Sequence, residues 1–322
     1  AIRYDGAKVY LDGKADPPVP GPGEAVIRPS RMGITAADAR LDEADSAGPF
    51  IPGHEFVGVV DRLHEEADRD LRRQWEGKRI VGSAIIVCGR CDMCRAGLSA
   101  HCRARRVMGT PAWDGCFADR FKLPLRNLVE LPKPVQDDAA VFAAPLSLAT
   151  HIVQLVRIEG KPYITVLGDS VAALLCAQVM ARLNASVRLL GSRTEKFALC
   201  ERWGIKHRHI SEVGRRGDQD IVVDATGSGA GIELALQLIR PRGKVVLTGE
   251  PRPDQSGMQL LVEREAELIG CRGGSIADAM AMLSRGEIDT LPLITKRTRL
   301  ADGPAALRPA LDADQIKVLL EP

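Results

Sequence analysis

The stretch of this sequence that decides the fold is Tyr163-Ile-Thr-Val-Leu-Gly-Asp-Ser-Val-Ala-Ala173. Its first five residues form an apolar run, which predicts a buried strand that ends at Gly168. The residues from Val171 to Leu183 then predict a buried helix that is rich in small residues. A strand that turns at a glycine and leads directly into a helix is typical of the first half of a parallel strand–helix–strand unit.

The sequence that follows this stretch continues the alternation of strands and helices. The predicted elements are a strand, a helix, a strand, a helix and a strand, at Ser186–Leu190, Glu195–Trp203, Ile221–Asp224, Gly231–Ile239 and Lys244–Thr248. Because short links join them, they predict a parallel sheet with helices on both faces. We therefore expect a doubly wound parallel sheet of the α/β class at residues 136–275, with a first helix at Ala139–Val156.

Residues 1–135 have a different pattern. Short alternating runs such as Glu24-Ala-Val-Ile-Arg28 and Phe56-Val-Gly-Val-Val60 predict strands. Turn-rich segments such as Pro17-Pro-Val-Pro-Gly-Pro-Gly23 separate these strands. The sequence therefore predicts a β-rich domain that precedes the parallel sheet. The total length of 322 residues is consistent with two domains of about 150 residues each.

Composition and charge exclude several classes of function. The 44 basic residues are balanced by 42 acidic ones, and only 4% of the residues are aromatic. We therefore expect no nucleic-acid partner and interpret the basic runs Arg103–Arg106 and Lys206–His209 as solvated surface. Polar residues interrupt the best apolar segment, Ala139–Val156, so no membrane span is expected. We predict no signal peptide, and the sparse cysteines are consistent with a reducing cytoplasm.

Four closely spaced cysteines are the sharpest chemical signal in the sequence. They are Cys88, Cys91, Cys94 and Cys102, in the spacing C-x2-C-x2-C-x7-C. Four thiolates can surround one tetrahedral Zn²⁺ ion and leave no open coordination position, so we predict a structural zinc site. The alternatives are uninvolved thiols or an iron–sulfur cluster, but ferredoxin-type runs have only three residues before the last cysteine. We interpret the four scattered cysteines as ordinary buried residues: Cys116, Cys176, Cys200 and Cys271.

The turn after the first predicted strand is similar to the G-x-G-x-x-G fingerprint of dinucleotide-binding proteins. Only Gly168 is kept, while Ser170 and Ala173 stand at the second and third glycine positions. Serine narrows the room for a pyrophosphate, although backbone N–H groups at the helix start can still receive a phosphate. We therefore predict that Gly168, Asp169, Ser170 and Val171 bind a dinucleotide. A plain packing turn is the alternative.

The end of the second predicted strand bears on which dinucleotide binds. NAD-dependent enzymes usually have an acidic residue there, but this sequence has Gly191-Ser192-Arg193, with Lys196 one turn later. A hydroxyl and two cations could hold a 2′-phosphate. Ser192, Arg193 and Lys196 therefore predict NADP(H), with NAD(H) as the second choice. The alternative is that the two cations only decorate an exposed helix start.

Together these motifs resemble the zinc-containing medium-chain dehydrogenase/reductase family, which includes alcohol, sorbitol, threonine and glucose dehydrogenases. The resemblance covers the chain almost end to end, and the most specific feature is a GHExxG signature about thirty residues before the cysteine lobe. Besides the lobe, the matching motifs are Gly53-His-Glu-Phe-Val-Gly58, Asp114-Gly-Cys-Phe-Ala-Asp119, Val223-Asp-Ala-Thr-Gly227 and Ile316-Lys-Val-Leu-Leu-Glu-Pro322.

The resemblance implies a fold and an activity. It implies a GroES-like substrate domain at residues 1–135 that is completed by residues 276–322, a Rossmann domain at residues 136–275, and an active cleft between the two domains. Members transfer hydride between nicotinamide C4 and an alcohol or carbonyl carbon, which implies a small-molecule substrate. It further implies that Thr226 contacts the cofactor and that the protein is a homodimer or homotetramer.

The catalytic zinc site is where the sequence departs from the family. The family's ligand cysteine lies in a stretch that resembles I-C-G-T-D-x-H, whereas this chain has Ile34-Thr-Ala-Ala-Asp-Ala-Arg40. Thr35 thus replaces the thiolate and Ala37 replaces the relay hydroxyl. Ala144 replaces the glutamate of the E-P pair that polyol-type members have.

Only His54 and Glu55 remain of the ligands that the resemblance implies. Since a catalytic zinc needs about three protein ligands, we expect no tightly bound catalytic zinc. A His/Glu/Asp site completed by Asp38 is the alternative. His54 and Glu55 could also be a hydrogen-bonded pair left over at a domain interface.

Without zinc, another group must polarise a carbonyl or accept a proton. Histidine titrates near neutral pH, so His54 is the natural candidate, oriented by Glu55 or Asp38, while Thr35 could donate a hydrogen bond to the substrate oxygen. Our hypothesis is therefore an NADP(H)-dependent oxidoreductase of a small alcohol, polyol or carbonyl compound. Metal-free relatives often reduce conjugated double bonds, which makes such a reductase the main alternative. A catalytically inactive paralogue that binds nucleotide is another.

Overall fold

A computed structural model describes residues 1–41, 48–158, 160–214, 216–249, 257–312 and 314–322. The chain divides into two compact units. The first unit consists of Ala1–Ala144 and Ala279–Pro322, and the second consists of Pro145–Asp278. Among the described residues, no helix has both the length and the apolar character that a membrane span requires.

The helices and strands are numbered in chain order. The strands are β1 (Ile2–Tyr4), β2 (Val9–Leu11), β3 (Glu24–Ile34), β4 (Glu55–Leu63), β5 (Arg79–Gly82), β6 (Ile85–Ile86), β7 (Arg106–Val107), β8 (Phe121–Pro124), β9 (Leu128–Glu130), β10 (Tyr163–Leu167), β11 (Ser186–Gly191), β12 (Lys206–His209), β13 (Gln219–Asp224), β14 (Ile239–Leu247), β15 (Glu267–Gly270), β16 (Ile294–Arg299) and β17 (Lys317–Glu321). The helices are α1 (Ala36–Ala39), α2 (Arg69–Trp75), α3 (Asp92–Arg95), α4 (Asp137–Ala140), α5 (Ala143–Leu155), α6 (Val171–Ala181), α7 (Phe197–Arg202), α8 (Gly229–Leu238), α9 (Met258–Glu263), α10 (Ile276–Ser284) and α11 (Gly303–Ala306).

A seven-stranded sheet forms the centre of the first unit. Its strand order is β16-β17-β3-β4-β5-β9, and β8 pairs with β3 outside that path. Strand β3 is antiparallel to β4, with Gly33 opposite Glu55, and antiparallel to β17, with Gly33 opposite Leu319. The residues that follow β3 therefore begin next to the start of β4 and next to the C-terminal strand.

Apolar side chains of these strands form the core of the first unit. The rings of Phe56 and Phe121 lie 4.7 Å apart between centroids at an interplanar angle of 71°, the edge-to-face arrangement that aromatic pairs prefer. Phe117 is fully buried beneath Gly53, and a Cβ atom at Gly53 would come within 2.4 Å of its ring. Since Gly53 also has a φ of +95°, the residue before His54 is restricted to glycine.

The second unit contains a six-stranded parallel sheet with the order β12-β11-β10-β13-β14-β15. This is the 3-2-1-4-5-6 order of the doubly wound dinucleotide-binding fold, so the predicted sheet is confirmed. The order reverses between β10 and β13, and the parallel register brings Gly168, Gly191 and Ala225 to the same edge. Ligands of such sheets bind outside this carboxyl edge.

In the second unit, the structure differs from the predicted elements at the edge strands of the sheet and at the ends of helices. Strand β10 has the predicted bounds, but the sequence pattern missed β12 and β15, which are the two edge strands. The basic run Lys206–His209, interpreted as surface alone, is β12, and its side chains are exposed or half-buried. The predicted helix Ala139–Val156 is divided into α4 and α5. Edge strands bury little apolar surface, so their sequences lack the apolar run that identified β10.

Candidate functional site

The four cysteines of the lobe lie together in the first unit. All four Sγ atoms lie within 4.8 Å of one another, and the Sγ of Cys91 is 3.5 Å from that of Cys94 and 3.9 Å from that of Cys102. Sulfur atoms around a tetrahedral zinc ion, with Zn–S bonds of about 2.3 Å, would be about 3.8 Å apart. The cluster therefore fits one structural zinc ion with no open position.

Local structure explains why these thiols meet. Cys91 is the N-cap residue of α3, so Cys91 and Cys94 lie on one helical turn. Cys102 is fully buried, and its Sγ accepts a hydrogen bond from the backbone N–H of Cys88 at 3.3 Å. Hydrogen bonds from the backbone N–H groups of Arg103 and then Cys94 lower the pKa of the Cys91 thiol to about 6. A thiolate is the form that binds zinc.

Thr35 and Asp38 form a capping box at the start of α1. The backbone N–H and the hydroxyl of Thr35 donate to Oδ2 of Asp38 at 2.9 and 2.6 Å, and the N–H of Asp38 donates to Oγ1 of Thr35 at 3.3 Å. The other oxygen of Asp38 accepts a hydrogen bond from the N–H of Gly53 at 3.1 Å. Both oxygens of this buried carboxylate thus hold the loop in place.

His54 lies beside the same carboxylate. Its Nδ1 atom is 3.8 Å from Oδ1 of Asp38, a distance that allows attraction when the ring is protonated. The His54 side chain is 29% exposed, whereas that of Asp38 is 3% exposed. Asp38, and not Glu55, is therefore the acid that this arrangement places next to the histidine.

Glu55 instead binds a lysine that sequence reasoning missed. The Nζ atom of Lys317 lies 2.5 Å from Oε2 of Glu55, and the two side chains are 3% and 7% exposed. Nζ also donates to the carbonyl of Ile34 at 3.4 Å and lies 5.9 Å from the ring centroid of Phe142. The sequence feature that could have indicated this contact is the lysine directly before the apolar run Val318–Leu320, in the motif Ile316–Pro322.

These contacts bear on the catalytic metal that the family implies. The hydroxyl of Thr35 and the N–H of Gly53 donate to Asp38, and Glu55 binds Lys317. These contacts engage the side chains that would have to join His54 as metal ligands. Over the described ranges, the four cysteines are the only group of three or more His, Cys, Asp or Glu whose donor atoms could hold a metal ion. The residues present do not fit a catalytic zinc ion.

Cys116, in the motif Asp114–Asp119, is buried against this loop. Its Sγ–H donates to the carbonyl of Glu55 at 3.6 Å. Burial, and secondly the charge of Asp38, raises the pKa of this thiol well above its usual value. The thiol is therefore neutral, and Cys116, Cys176, Cys200 and Cys271 are all buried, as the sequence predicted.

In the second unit, the glycine turn joins β10 to α6. Gly168 has a φ of +109°, and a Cβ atom there would lie 3.2 Å from the carbonyl oxygen of Ala225. Ser170 is the N-cap of α6, and its hydroxyl accepts from the N–H of Ala173 at 3.3 Å. Helix α6 thus begins at Val171, at the switch point of the parallel sheet.

Asp169 reaches from this turn to the end of the neighbouring strand β11. Its Oδ2 atom accepts from the N–H of Ser192 at 2.8 Å, from the N–H of Arg193 at 3.0 Å and from the Ser192 hydroxyl at 3.2 Å. The Nζ of Lys196 donates to the backbone carbonyl of Asp169 at 3.2 Å. Four of the predicted cofactor-binding residues therefore meet at one place.

Thr226 lies at the end of β13. Its hydroxyl and its backbone N–H donate to Oδ1 of Asp224 at 2.7 and 2.9 Å. Burial raises the pKa of the Asp224 carboxyl, and the hydrogen bonds from Thr226 act in the opposite direction. Thr226 thus shapes the turn next to Gly168, since its backbone nitrogen would lie 3.5 Å from a Cβ atom at that glycine.

Two observations test whether these residues fit the phosphate groups of a dinucleotide. The Nη1 atom of Arg193 is buried and has no hydrogen-bond partner among the described residues. The backbone N–H groups of Ser192 and Arg193 already hold a carboxylate.

Comparison with known proteins connects these features. Residues 21–133 match the alcohol dehydrogenase GroES-like domain. The chain is 25% identical to L-threonine 3-dehydrogenase of Deinococcus deserti, over 94% of this chain and 93% of that one. It is 24% identical to D-arabitol-phosphate dehydrogenase of Enterococcus avium, over 92% and 90%. A crystal structure from Sinorhizobium meliloti 1021, described as a zinc-binding dehydrogenase bound to NADP, has a TM-score of 0.86 at 26% identity and full coverage of both chains.

A GroES-like unit with a four-cysteine lobe, followed by a doubly wound parallel sheet, defines a protein of the alcohol dehydrogenase-like class. Over nearly its whole length the chain is similar to dehydrogenases of the zinc-containing medium-chain dehydrogenase/reductase family. The resemblance and the fold class predicted from the sequence are thus confirmed.

Proposed function

We propose that the protein is an NADP(H)-dependent oxidoreductase of a small alcohol, polyol or carbonyl substrate and that it works without a tightly bound catalytic zinc ion. The observation that carries this proposal is a cluster of hydrogen-bond donors that can bind an anion. The donors belong to Ser192 and Arg193, at the carboxyl edge of the parallel sheet. The names of the two relatives, a threonine and an arabitol-phosphate dehydrogenase, support a small hydroxylated substrate.

The residues of the second unit hold the cofactor in this proposal. Gly168, Ser170, Val171 and Thr226 lie at the ends of β10 and β13, where sheets of this order bind dinucleotides. Ser192, Arg193 and Lys196 follow β11 and supply donors for the 2′-phosphate. When bound, the nicotinamide ring supplies or accepts the hydride.

His54 moves the proton in this proposal. During alcohol oxidation the neutral imidazole accepts the hydroxyl proton as the carbon loses hydride, and during carbonyl reduction the imidazolium returns it. The buried carboxylate of Asp38 lies 3.8 Å from Nδ1 of His54 and faces the ring with an opposite charge when the ring carries the proton. Thr35 donates to Asp38 and so positions the acid, whereas Glu55 is engaged by Lys317.

A reductase of conjugated carbon–carbon double bonds is the second candidate. It is favoured by the closed contacts of Asp38 and Glu55, which leave no ligand set for a metal at the substrate oxygen. In such a reaction the hydride goes to the β-carbon, and a proton is added to the α-carbon. A Lewis acid on the carbonyl oxygen is therefore not needed.

Metal analysis of the purified protein tests the zinc part of the proposal. We expect one zinc ion per chain, because only the four-cysteine cluster offers a closed ligand set over the described ranges. Two zinc ions per chain would contradict a zinc-free catalytic site. Absence of zinc would contradict the assignment of the cysteine lobe.

A screen of NADPH oxidation with aldehydes, ketones and enones tests the reaction. We expect turnover of at least one class and a loss of about 100-fold or more in kcat for His54→Ala. His64→Ala is the matched control, because His64 is a half-buried histidine of the same unit whose Nδ1 accepts from the backbone N–H of Glu66 at 3.3 Å. If neither NADPH nor NADH binds, the proposed function is wrong.

A further inference from the structure

The hydrogen-bond donors at the end of β11 already bind a carboxylate of the protein, that of Asp169. A single oxygen of Asp169, Oδ2, accepts hydrogen bonds from two backbone N–H groups and one hydroxyl, all from Ser192 and Arg193. Ser192 and Arg193 are the residues that the proposed function assigns to the 2′-phosphate. The protein's own carboxylate therefore uses the donors that the cofactor's phosphate needs.

We propose that Asp169 is an internal competitor of the 2′-phosphate and thereby sets the preference of this protein between NADP(H) and NAD(H). This inference rests on the proposed function, since it requires that a dinucleotide binds at the carboxyl edge of the sheet. Asp169 lies in the glycine turn after β10, whereas NAD-dependent enzymes normally have their specificity-determining acidic residue at the end of the next strand, which here is β11.

The backbone explains how the carboxylate arrives there. Parallel pairing places Leu167 opposite Leu190, so the turn after β10 lies beside the end of β11. Gly191 leaves the necessary space, because a Cβ atom at this position would lie 3.0 Å from Oδ2 and 3.2 Å from Cβ of Asp169. The approach of Asp169 to Ser192 thus depends on a glycine at the end of β11.

The charges explain why the two anions compete. A phosphate that uses the N–H groups of Ser192 and Arg193 must displace the carboxylate or lie directly beside it, and like charges in one site repel. The Nε atom of Arg193 lies 3.8 Å from Oδ1 of Asp169, so the carboxylate also partly neutralises this cation. The unpartnered Nη1 of Arg193 remains as a donor for the incoming phosphate. NADH lacks the 2′-phosphate and does not have to displace Asp169.

Nucleotide binding to Asp169→Asn tests this inference. Asparagine keeps the shape and one hydrogen-bond acceptor but removes the charge. Dissociation constants for NADPH, NADH, 2′,5′-ADP and 5′-AMP are measured by isothermal titration calorimetry. We expect the affinities for NADPH and 2′,5′-ADP to rise about tenfold, while those for NADH and 5′-AMP change less than threefold. Asp169→Ser is the second variant, with the same expected direction.

Asp218→Asn is the matched control, since it removes one exposed carboxylate at the opposite, amino end of β13. We expect it to leave the NADPH-to-NADH affinity ratio unchanged, which would exclude a general effect of net charge. In the double variant Asp169→Asn, Arg193→Gln, the gain for 2′,5′-ADP is expected to disappear.

Three outcomes would overturn the inference. A loss of NADH and 5′-AMP affinity in Asp169→Asn, without a gain for NADPH, would make Asp169 a ribose acceptor. An equal change for all four ligands would indicate a purely structural residue. If the wild type binds both dinucleotides but the ratio is unchanged in both variants, this inference alone fails. Absence of binding to every form would remove the proposed function as well.

Discussion

The Nζ atom of Lys317 lies 2.5 Å from Oε2 of Glu55, and both side chains are buried. The two residues are 262 positions apart in the sequence. They meet because β17 and β4 pair with opposite sides of β3. A buried charge pair of this kind is strongly destabilising to break, although the intact pair contributes little net stability.

Lys317→Met is therefore expected to lower the free energy of unfolding by about 3–5 kcal/mol, because Glu55 would keep a buried charge without a partner. Urea denaturation measures this change. In the double variant Glu55→Gln, Lys317→Met the loss should be smaller than in the single variant. Lys78→Met is the control, since Lys78 pairs with Glu130 at 2.8 Å on the surface, where such pairs contribute about 0–1 kcal/mol. Equal losses at both lysines would contradict the special role of the buried pair.

Cys102→Ser is expected to reduce the zinc content from one ion per chain to nearly none and to lower the thermal stability of the first unit. Three thiolates cannot close the tetrahedral site, and Cys102 is the fully buried member of the cluster. Zinc is measured by elemental analysis. Cys200→Ser changes a buried cysteine outside the lobe and should keep its zinc. Retention of zinc by Cys102→Ser would show that the lobe binds metal differently.

Asp138 provides a prediction on acid stability. Hydrogen bonds from Arg297, opposed by some desolvation and assisted by Arg31, lower the pKa of this carboxyl. The folded-state pKa is thus below the unfolded value of about 3.9. The unfolded chain binds more protons between these two values, so this contribution to stability is complete above about pH 4 and is lost as the pH falls through the folded-state pKa.

We accordingly expect Asp138→Asn to be less stable than the wild type by about 1 kcal/mol at pH 7, a value limited by the solvent around Arg297. The difference should shrink when urea denaturation is repeated below pH 3. Asp70→Asn, which changes an aspartate whose side chain is 93% exposed, should show no such difference at either pH. A gap that is constant with pH would indicate that charge is not its cause.

Thr35→Val addresses the loop that holds Asp38. The substitution removes the N-cap oxygen of α1 and one donor to Asp38. We expect a loss of about 1 kcal/mol in unfolding free energy and a lower kcat, with the zinc content unchanged. Thr35→Ser keeps both hydrogen bonds and should behave like the wild type. If Thr35→Val lowered the zinc content, Thr35 would have to be reconsidered as a ligand.

The sequence predicted best what is local or fully buried. Strand β10 was predicted at its exact bounds because it is a continuous apolar run in the middle of the sheet. The four-cysteine cluster was predictable because its members lie within fifteen residues and one short helix aligns two of them. Edge strand β12 was missed because its sequence, Lys-His-Arg-His, has no apolar alternation.

Contacts that depend on strand register were not predictable. Either Glu55 or Asp38 was expected to orient His54; Asp38 lies beside the histidine, whereas Glu55 binds Lys317, which no pattern near Glu55 indicates. Asp169 was expected only as a member of the glycine turn, whereas its carboxylate binds residues at the end of another strand. In both cases the partner is fixed by which strands are neighbours, and a single sequence does not specify that pairing.

The position of β17 also has a consequence for biosynthesis. A ribosome makes residues 1–144 first, then the whole second unit, and only at the end the strand that carries the lysine. Until β17 emerges, Glu55 on β4 lacks its partner Lys317, and the segment Met32–Ile34 of β3 lacks the strand with which it pairs. The second unit can therefore fold during translation before the first is complete, because the first unit needs β17, which is made after the whole second unit.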